Sequence, residues 1–166
     1  VVRGPWITSG YYNNHNANEK AFTKDGWFYT GDIATIGAVT YLQLVDRSKD
    51  VIKSGGEWIS SIEVENCATG HPMVAEAAVI GRIHPKWGER PLLIVVKNGQ
   101  GDVTPDELKT FLDGKIAKWW IPDNVQYIKE MPHTATGKIQ KMKLREMFER
   151  SEEHTSELQS PMYLVC

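Results

Sequence analysis

Alternating apolar and polar positions mark the first 45 residues of the chain. Residues 41–45, Tyr-Leu-Gln-Leu-Val, show this alternation, and residues 27–29, Trp-Phe-Tyr, form a short aromatic run. Both patterns predict β-strands, because strand side chains point alternately to opposite faces and aromatic residues favour sheets. Residues 46–50, Asp-Arg-Ser-Lys-Asp, have no apolar position and are densely charged. They predict an exposed linker between two packed units.

Beyond this segment, three stretches carry the signals of helices. Ser60, with a glutamate three residues later, predicts a capping box at the start of a helix over residues 61–69, which a Gly-His-Pro sequence ends. Thr104, followed by proline and by a glutamate three residues later, predicts a second helix that continues to about residue 118. Residues 141–148 predict a short terminal helix.

Three segments of the same region predict strands, namely residues 74–83, 91–97 and 125–129. The second is a run of β-branched and leucine residues, which suits a buried strand. The order of strands and helices predicts a small α+β unit in which helices cover a three-stranded sheet. The glycine pair at residues 55 and 56 predicts a β-hairpin ahead of that sheet.

The composition excludes several classes of protein. The 166 residues are 41% hydrophobic and 24% charged with a formal net charge of -2, so the chain lacks the basic excess that nucleic acid or an anionic membrane attracts. It has no apolar run of membrane-spanning length and no signal-peptide pattern, and we expect a cytoplasmic location. Cys67 and Cys166 lack the spacing of a disulfide framework or a zinc site. Because the first residue is Val1, we interpret the chain as part of a longer protein.

The end of the chain resembles a sequencing artefact. Residues 150–160, Arg-Ser-Glu-Glu-His-Thr-Ser-Glu-Leu-Gln-Ser, are similar to the in-frame translation of a widely used DNA-sequencing adapter. A natural polar tail after a helix is the alternative. We predict that residues 150–166 are a non-native tail and exclude them from reasoning about the fold.

Three short clusters place glycine beside charged residues, and the first is Tyr-Thr-Gly-Asp at residues 29–32. The ionised carboxylate of Asp32 offers two acceptor oxygens, which suit the hydroxyls of a vicinal diol. A turn with an Asx-type cap explains the same residues without any ligand. Taken by itself, this segment favours the turn.

The second cluster covers residues 46–59, Asp-Arg-Ser-Lys-Asp-Val-Ile-Lys-Ser-Gly-Gly-Glu-Trp-Ile. The forked guanidinium of Arg47 and the ammonium groups of Lys49 and Lys53 can neutralise anionic oxygens. The paired glycines allow the backbone to pass close to a ligand. A loop that handles phosphate and ribose and a solvated hairpin with a glycine turn are equally good interpretations of this segment.

The third cluster is a polar loop at residues 132–138, Pro-His-Thr-Ala-Thr-Gly-Lys. A lysine at the end of such a loop, Lys138, can reach a site formed elsewhere and stabilise charge on a transferring phosphoryl or acyl group. Taken by itself, however, this segment favours a plain surface loop, and the spacing excludes a Walker loop. The histidines His71, His84 and His133 do not cluster at ligand spacing, so we predict no metal site.

Taken in this order, the three clusters resemble the signature of the adenylate-forming, or AMP-binding, superfamily, which includes acyl-CoA synthetases, firefly luciferases and peptide-synthetase adenylation domains. The patterns T-G-D, D-R-x-K-D-x-I-K-x-G-G-x-x-I and P-x-T-x-[ST]-G-K all occur, and the resemblance covers residues 1–149. Residues 54–63 and 84–91 are especially similar to medium-chain fatty-acyl-CoA ligases.

The resemblance implies the C-terminal part of an acyl-CoA ligase. Residues 1–46 would be the β-rich end of a large N-terminal domain, and residues 47–149 the small C-terminal domain, which in this family rotates between two half-reactions. A carboxylic acid attacks the α-phosphate of Mg-ATP to give an acyl-adenylate, and CoA then displaces AMP to give the thioester. The Mg²⁺ ligands would lie in the missing N-terminal domain, so this fragment by itself should be inactive.

The resemblance also assigns roles to individual residues. Asp32 would hold the ribose hydroxyls, and Arg47 would contact the ribose from the other side. Lys49 would be the hinge about which the C-terminal domain turns. Lys138 would be the adenylation lysine, which bridges the carboxylate and the α-phosphate.

For the second half-reaction the resemblance points to the glycine hairpin. Gly55 and Gly56 would move beside the channel for the pantetheine arm of CoA, with Glu57 and Trp58 close by. Lys53 matches a position that acts in this step in some relatives.

Two positions depart from the family pattern, and several functions stay open. Gly-Ala-Val-Thr precedes Tyr41 where relatives usually have Asp or Asn with Gly, and Trp119 and Trp120 stand where a lysine is often found.

One alternative to an acyl-CoA ligase for fatty acids is an adenylation domain that loads a carrier protein or a ligase for an aryl or sulfur-containing acid. Another is a non-catalytic α+β binding module. The sequence does not indicate an oligomeric state.

Overall fold

A computed structural model of the chain describes the backbone of residues 1–157 and the side chains of residues 1–149. The chain divides into two compact units, the first over Val1–Lys49 and the second beginning at Asp50. The side chains of the predicted non-native tail, residues 150–166, and with them Cys166, lie outside the described part, so the origin of that tail stays a prediction. Within the described residues, no helix is long and apolar enough to cross a membrane.

The first unit contains one helix and one β-hairpin. Helix α1 spans His15–Ala21, strand β1 spans Asp32–Ile36 and strand β2 spans Leu42–Arg47. The sequence analysis missed α1, whose start is marked by Asn14: the side chain of Asn14 accepts a hydrogen bond of 3.0 Å from the backbone N–H of Ala17. The predicted strand over residues 27–29 is instead a segment with single bridges from Phe28 to Val2 and Phe22.

Two expectations for this unit are wrong in detail. Asp32, which comes three residues after the predicted strand of residues 27–29, does not follow a strand but begins β1, where it pairs with Arg47 of β2. The predicted exposed linker begins too early, because β2 continues through Arg47 and the side chain of Asp46 is buried. Oδ1 of Asp46 accepts a hydrogen bond of 2.7 Å from the backbone N–H of Arg47. This bond offsets part of the free energy that burial of the carboxylate costs.

The second unit is an α+β fold with a five-stranded sheet, and the predicted fold class is confirmed. Its elements in chain order are β3 Ile52–Ser54, β4 Glu57–Ile59, α2 Ser61–Thr69, β5 Val74–His84, β6 Gly88–Lys97, α3 Pro105–Leu112, a 3₁₀ turn Lys118–Trp120, β7 Asn124–Tyr127 and α4 Lys141–Glu157. The strand order is β4-β3-β6-β5, and β7 pairs with β6 in parallel. The predicted hairpin β3–β4 therefore joins the predicted three strands in one sheet, through a bridge between Ser54 and Gly88.

The caps predicted from the sequence are present, whereas two helix ends differ. The side chain of Ser60 accepts from the backbone N–H of Glu63, and a full capping box of Thr104 and Glu107 begins α3. The backbone N–H of Thr104 holds the pKa of the Glu107 carboxyl below its usual value. Helix α3 ends at Leu112 rather than near residue 118, because the following residue is extended and Gly114 has a φ of +78°. Helix α4 extends past the predicted end at residue 148.

The sheet of the second unit is covered on both faces. Alternate residues of β6 point to opposite sides, so Leu93 and Val95 lie in one apolar cluster and Leu92 and Ile94 in the other. Helices α2 and α3 cover the first face with buried side chains such as Val64, Leu108 and Leu112, and α4 covers the second face with Leu144. The half-buried thiol of Cys67, on α2, packs against the first cluster.

The turn between β1 and β2 is strained at Thr40. Thr40 has a φ of +63°, a left-handed conformation that a β-branched residue adopts at a cost of about 1 kcal/mol or more. The turn is closed by hydrogen bonds from the N–H of Thr40 to the carbonyl of Gly37 and from the N–H of Gly37 to the carbonyl of Tyr41, at 2.9 and 3.0 Å. The position is that of the αL residue in a three-residue hairpin loop, which Gly or Asn occupies readily.

We predict that Thr40→Asn stabilises this hairpin by about 1 kcal/mol, because Asn tolerates the left-handed region. Hydrogen exchange of the Gly37 amide should slow by about fivefold. Ala38→Asn is the matched control, since Ala38 lies in the same turn without a positive φ, and it should leave the exchange rate nearly unchanged. Equal effects of the two substitutions would contradict strain at Thr40.

Candidate functional site

Asp32 and Arg47 lie side by side at the end of the hairpin in the first unit. The two residues are register partners on β1 and β2, and Nε of Arg47 is 3.8 Å from Oδ1 of Asp32. Both side chains are accessible to solvent, at 56% for Arg47 and 32% for Asp32. A carboxylate and a guanidinium held in this way offer paired acceptors and donors to a polyhydroxyl ligand.

The Thr-Gly-Asp turn that carries Asp32 is fixed by local hydrogen bonds. Gly31 has a φ of +75°, and its carbonyl accepts a hydrogen bond of 2.8 Å from the backbone N–H of Ser48. The N–H of Asp32 donates to Oγ1 of Thr30 at 3.3 Å. The exposed Lys49 follows Ser48 as the last residue of the first unit, so the predicted hinge residue lies at the division of the chain.

In the second unit, Gly55 and Gly56 form the tip of the hairpin between β3 and β4. Their φ angles are +59° and +90°, which fits the primed turn that closes two-residue hairpins. Lys53 and Trp58 are cross-strand partners next to this tip, and the side chain of Trp58 is 57% exposed. Glu57, the first residue of β4, is also exposed. The hairpin therefore presents an ammonium, a carboxylate and an indole to solvent around two glycines.

The tip of this hairpin packs on two tryptophans that the sequence analysis did not connect with it. The N–H of Gly55 donates to the carbonyl of Trp87 at 2.8 Å. A Cβ at Gly55 would lie 3.0 Å from the ring of Trp87 and 3.4 Å from that of Trp119. The two indoles meet edge to face, with centroids 4.9 Å apart. Gly55 is therefore required by steric contact as well as by its positive φ.

Arg90 ties the base of the hairpin to the rest of the unit. This buried residue donates from Nε and Nη2 to the carboxylate of Asp123, with the shortest contact at 2.7 Å. Its Nη1 donates to Oγ of Ser54 at 3.2 Å and to the carbonyl of Trp119 at 2.9 Å. Nη2 also donates to the carbonyl of Ile121 at 3.2 Å, and the guanidinium stacks 4.4 Å from the Trp119 ring. One side chain thus joins β3, β6, the 3₁₀ turn and the start of β7.

Sequence reasoning missed Arg90, although a signal was available. Arg90 directly precedes a run of apolar residues that forms the central strand of the sheet. A charged residue at the start of such a strand needs compensating partners if it is buried. Neighbouring Glu89 adds a further anchor, because its carboxylate accepts a hydrogen bond of 2.9 Å from the N–H of Lys53.

Lys138 lies on a closed turn rather than on a loose loop. The carbonyl of Lys138 accepts a hydrogen bond of 2.8 Å from the N–H of Thr134, and the N–H of Lys138 donates to Oγ1 of the same threonine at 3.1 Å. Gly137, with a φ of +78°, allows the turn. Met131 at the root of the loop is buried in the cluster beneath α4. The backbone of Lys138 is therefore fixed, while its side chain is exposed.

A second contact holds this loop to the sheet. Nε2 of His133 lies 3.0 Å from a carboxylate oxygen of Glu76 on β5. The described residues contain no cluster of histidine, cysteine, aspartate or glutamate that could hold a metal ion.

Comparison with known proteins gives a consistent set of similarities. Residues 63–138 match the family model of the AMP-binding enzyme C-terminal domain. The chain is 53% identical over 150 residues to the 3-methylmercaptopropionyl-CoA ligase of Ruegeria pomeroyi and 44% identical over 148 residues to the medium-chain-fatty-acid–CoA ligase of Ectopseudomonas oleovorans. Each alignment covers 89% of this chain and 27% of the relative, so the chain spans about a quarter of the length of these curated relatives.

A solved structure shows the same likeness. The crystal structure of ATP-bound MatB from Rhodopseudomonas palustris superimposes with a TM-score of 0.79 at 32% sequence identity. The match covers 88% of this chain and 29% of that protein. The likeness includes most of both units, since it extends well beyond the segment of the family model.

We predict that Arg90→Lys destabilises the second unit by about 2 kcal/mol or more, because one ammonium cannot replace the forked donors that serve Ser54, Asp123 and two backbone carbonyls. Chemical denaturation should show the loss, and hydrogen exchange at the Gly55 amide should accelerate. Arg82→Lys is the matched control: Arg82 faces Arg90 across β5 and β6 but is only half-buried, and its substitution should cost less. Equal costs would show that the Arg90 network does not hold the hairpin.

Proposed function

The chain belongs to the AMP-binding, or adenylate-forming, enzyme family and contains its C-terminal domain, and on this premise we propose that the complete protein is an ATP-dependent acyl-CoA ligase. Such an enzyme activates a carboxylic acid as an acyl-adenylate and transfers the acyl group to the thiol of CoA. The observation that carries the proposal is the exposed ammonium of Lys138 on a closed, core-anchored turn. A fixed backbone with a single projecting cation suits charge stabilisation in a transfer reaction.

Lys138 is the proposed adenylation residue. Within the described chain, its ammonium has no hydrogen-bond or ion-pair partner, so no internal contact must break before it meets an anion. It would bridge the carboxylate of the acid and the α-phosphate, where negative charge develops during the first half-reaction.

Asp32 and Arg47 are the proposed contacts for the ribose of ATP. The two acceptor oxygens of Asp32 match two vicinal hydroxyls, and the guanidinium 3.8 Å away supplies donors from the neighbouring strand. Their fit to a sugar supports ATP as a substrate. The ligands of the Mg²⁺ that accompanies ATP are proposed to lie in the N-terminal part of the complete protein, outside this chain.

The glycine hairpin is the proposed element for the CoA step. At this tip, which Trp87 and Arg90 fix, no atom lies within 4 Å of where a Cβ of Gly56 would be, and this open space leaves room for the slender pantetheine arm of CoA beside the Gly55–Gly56 turn. The exposed Glu57, Trp58 and Lys53 would line this approach. Lys49, at the division of the chain, is the proposed hinge. Rotation about it would bring the Lys138 turn to the reaction centre for the first half-reaction and the glycine hairpin to the same centre for the second.

We propose a medium-chain fatty acid as the substrate and a cytoplasmic location. The similarity to a medium-chain-fatty-acid–CoA ligase supports this choice of acid. A sulfur-containing acid is the second candidate, because a 3-methylmercaptopropionyl-CoA ligase is 53% identical to the chain. Because the chain spans about a quarter of these relatives, we also propose that it is inactive without the remaining sequence.

The function is tested with the complete protein encoded by the gene. Acid-dependent exchange between pyrophosphate and ATP and formation of the CoA thioester should both occur, with the highest kcat/KM for acids of about six to ten carbons among a panel that includes 3-methylmercaptopropionate, benzoate and palmitate. A preference for 3-methylmercaptopropionate would select the second candidate. Adenylate formation without any transfer to CoA would favour a carrier-protein acceptor instead.

The role of Lys138 is tested by Lys138→Ala in the complete protein. Pyrophosphate exchange should fall by about a hundredfold or more, because one preorganised cation is removed from the developing charge. Thioester formation from preformed acyl-adenylate should stay within about threefold, since the proposed role is confined to the first half-reaction. Lys143→Ala, a substitution of another exposed lysine, is the control and should affect neither step. Equal loss of both half-reactions would contradict the assignment.

A further inference from the structure

The residues on either side of Lys49 are held by different parts of the chain. On one side, the N–H of Ser48 donates to the carbonyl of Gly31 within the first unit, at 2.8 Å. On the other side, Oδ1 of Asp50 accepts a hydrogen bond of 2.8 Å from Nη2 of Arg145 within the second unit. Lys49 lies between these two anchored neighbours and at the division of the chain.

The ion pair of Asp50 and Arg145 joins segments that are far apart in sequence. Arg145 lies on α4, one residue after Leu144, whose side chain is fully buried against the sheet. The side chains of the pair are only 26% and 14% exposed for Arg145 and Asp50. Partial burial reduces screening by solvent, so this pair is held more firmly than a surface ion pair. Val51 and Ile52, which follow Asp50, are buried in the second unit.

We propose that Arg145 is a positioning residue that confines the pivot of the C-terminal domain to Lys49. This inference rests on the proposed function, in which the domain turns between two half-reactions. With Asp50 fastened to α4, the chain on the carboxyl side of Lys49 is held within the second unit, and each orientation of the domain is reached with fewer competing conformations. Without Arg145, Asp50 becomes a second flexible residue. Ordering it costs conformational entropy, which raises the free energy of reaching either orientation of the domain.

Helix α4 itself supplies a matched control. One turn earlier, the ammonium of Lys141 lies 2.7 Å from a carboxylate oxygen of Glu65 on α2, and these side chains are 13% and 15% exposed. The same carboxylate oxygen also accepts from the N–H of Val79 on β5. The Lys141 pair thus fastens α4 to the interior of the second unit with similar chemistry, but through Glu65 on α2 rather than through Asp50.

The first test is limited proteolysis of the 166-residue chain with a protease specific for lysine, with fragments identified by mass. Arg145→Met should increase the rate of cleavage after Lys49 by about tenfold, because the backbone on the carboxyl side of the bond is released. Lys141→Met should change that rate by less than about twofold. Equal acceleration by the two substitutions would overturn the proposal, since both weaken the docking of α4.

A double-substitution cycle tests the coupling between the two partners. Asp50→Asn should accelerate cleavage after Lys49 as much as Arg145→Met does, and the double variant should be cleaved no faster than either single variant. Additive effects would mean that the two residues act separately and would overturn the proposal.

The consequence for the reaction is tested in the complete protein. Arg145→Met should lower both half-reactions by about tenfold relative to Lys141→Met, measured as pyrophosphate exchange and as thioester formation from preformed acyl-adenylate. Equal rates for the two variants would defeat the positioning role while leaving the ligase function intact. An unsubstituted protein that forms no acyl-CoA would instead defeat the proposed function, and the proteolysis result would still decide whether Arg145 fastens Asp50.

Discussion

The burial of one guanidinium governs the geometry of the second unit. The guanidinium of Arg90 can be buried in β6 because hydrogen bonds within the protein replace those that it would make with water. Its partners are the carboxylate of Asp123, the hydroxyl of Ser54 and the backbone carbonyls of Trp119 and Ile121. The hairpin of β3 and β4 has only three residue pairs of its own, and an isolated two-stranded hairpin of that size is marginally stable in water. The placement of Gly55 and Gly56 is therefore a consequence of the charge compensation around Arg90 and of the indoles beside it.

The elements that were predictable from the sequence are those set by local chemistry. Side-chain caps at Ser60 and Thr104 fix the starts of α2 and α3, and the β-branched run after Arg90 specifies the central strand. The expectations that failed depend on contacts between distant residues. The exposed linker was predicted from charge density, whereas Asp46 is buried at the end of a strand; likewise, the union of the hairpin with the sheet requires the bridge from Ser54 to Gly88.

The candidate site divides in the same way. Asp32, Lys138 and the glycine pair could be found because charge beside glycine is visible in a short segment. The partners that hold them could not, because Trp87, Trp119 and Arg90 are separated from the hairpin by about 30 or more residues and have no local signature of that role. The registration of Asp32 against Arg47 likewise follows from strand pairing, which a linear motif does not specify. Motifs thus pointed to the candidate groups, and packing between distant residues determines how rigidly those groups are held.

This rigidity constrains how a two-step reaction can proceed. The Lys138 turn is closed by its own hydrogen bonds and rooted in the apolar cluster under α4, and the glycine hairpin is fixed by indole packing and by Arg90. Because both elements are held in this way, neither can move far without the rest of the second unit. If one reaction centre uses both, the second unit must move as a body, and the freedom for that movement must be found in the chain at its boundary. The proposed pivot, Lys49, lies at that boundary between Ser48 and Asp50, each of which is bonded within its own unit. A rigid body on a narrow pivot loses little conformational entropy when it reaches either orientation, and this is the physical advantage of holding both reactive loops firmly on one domain.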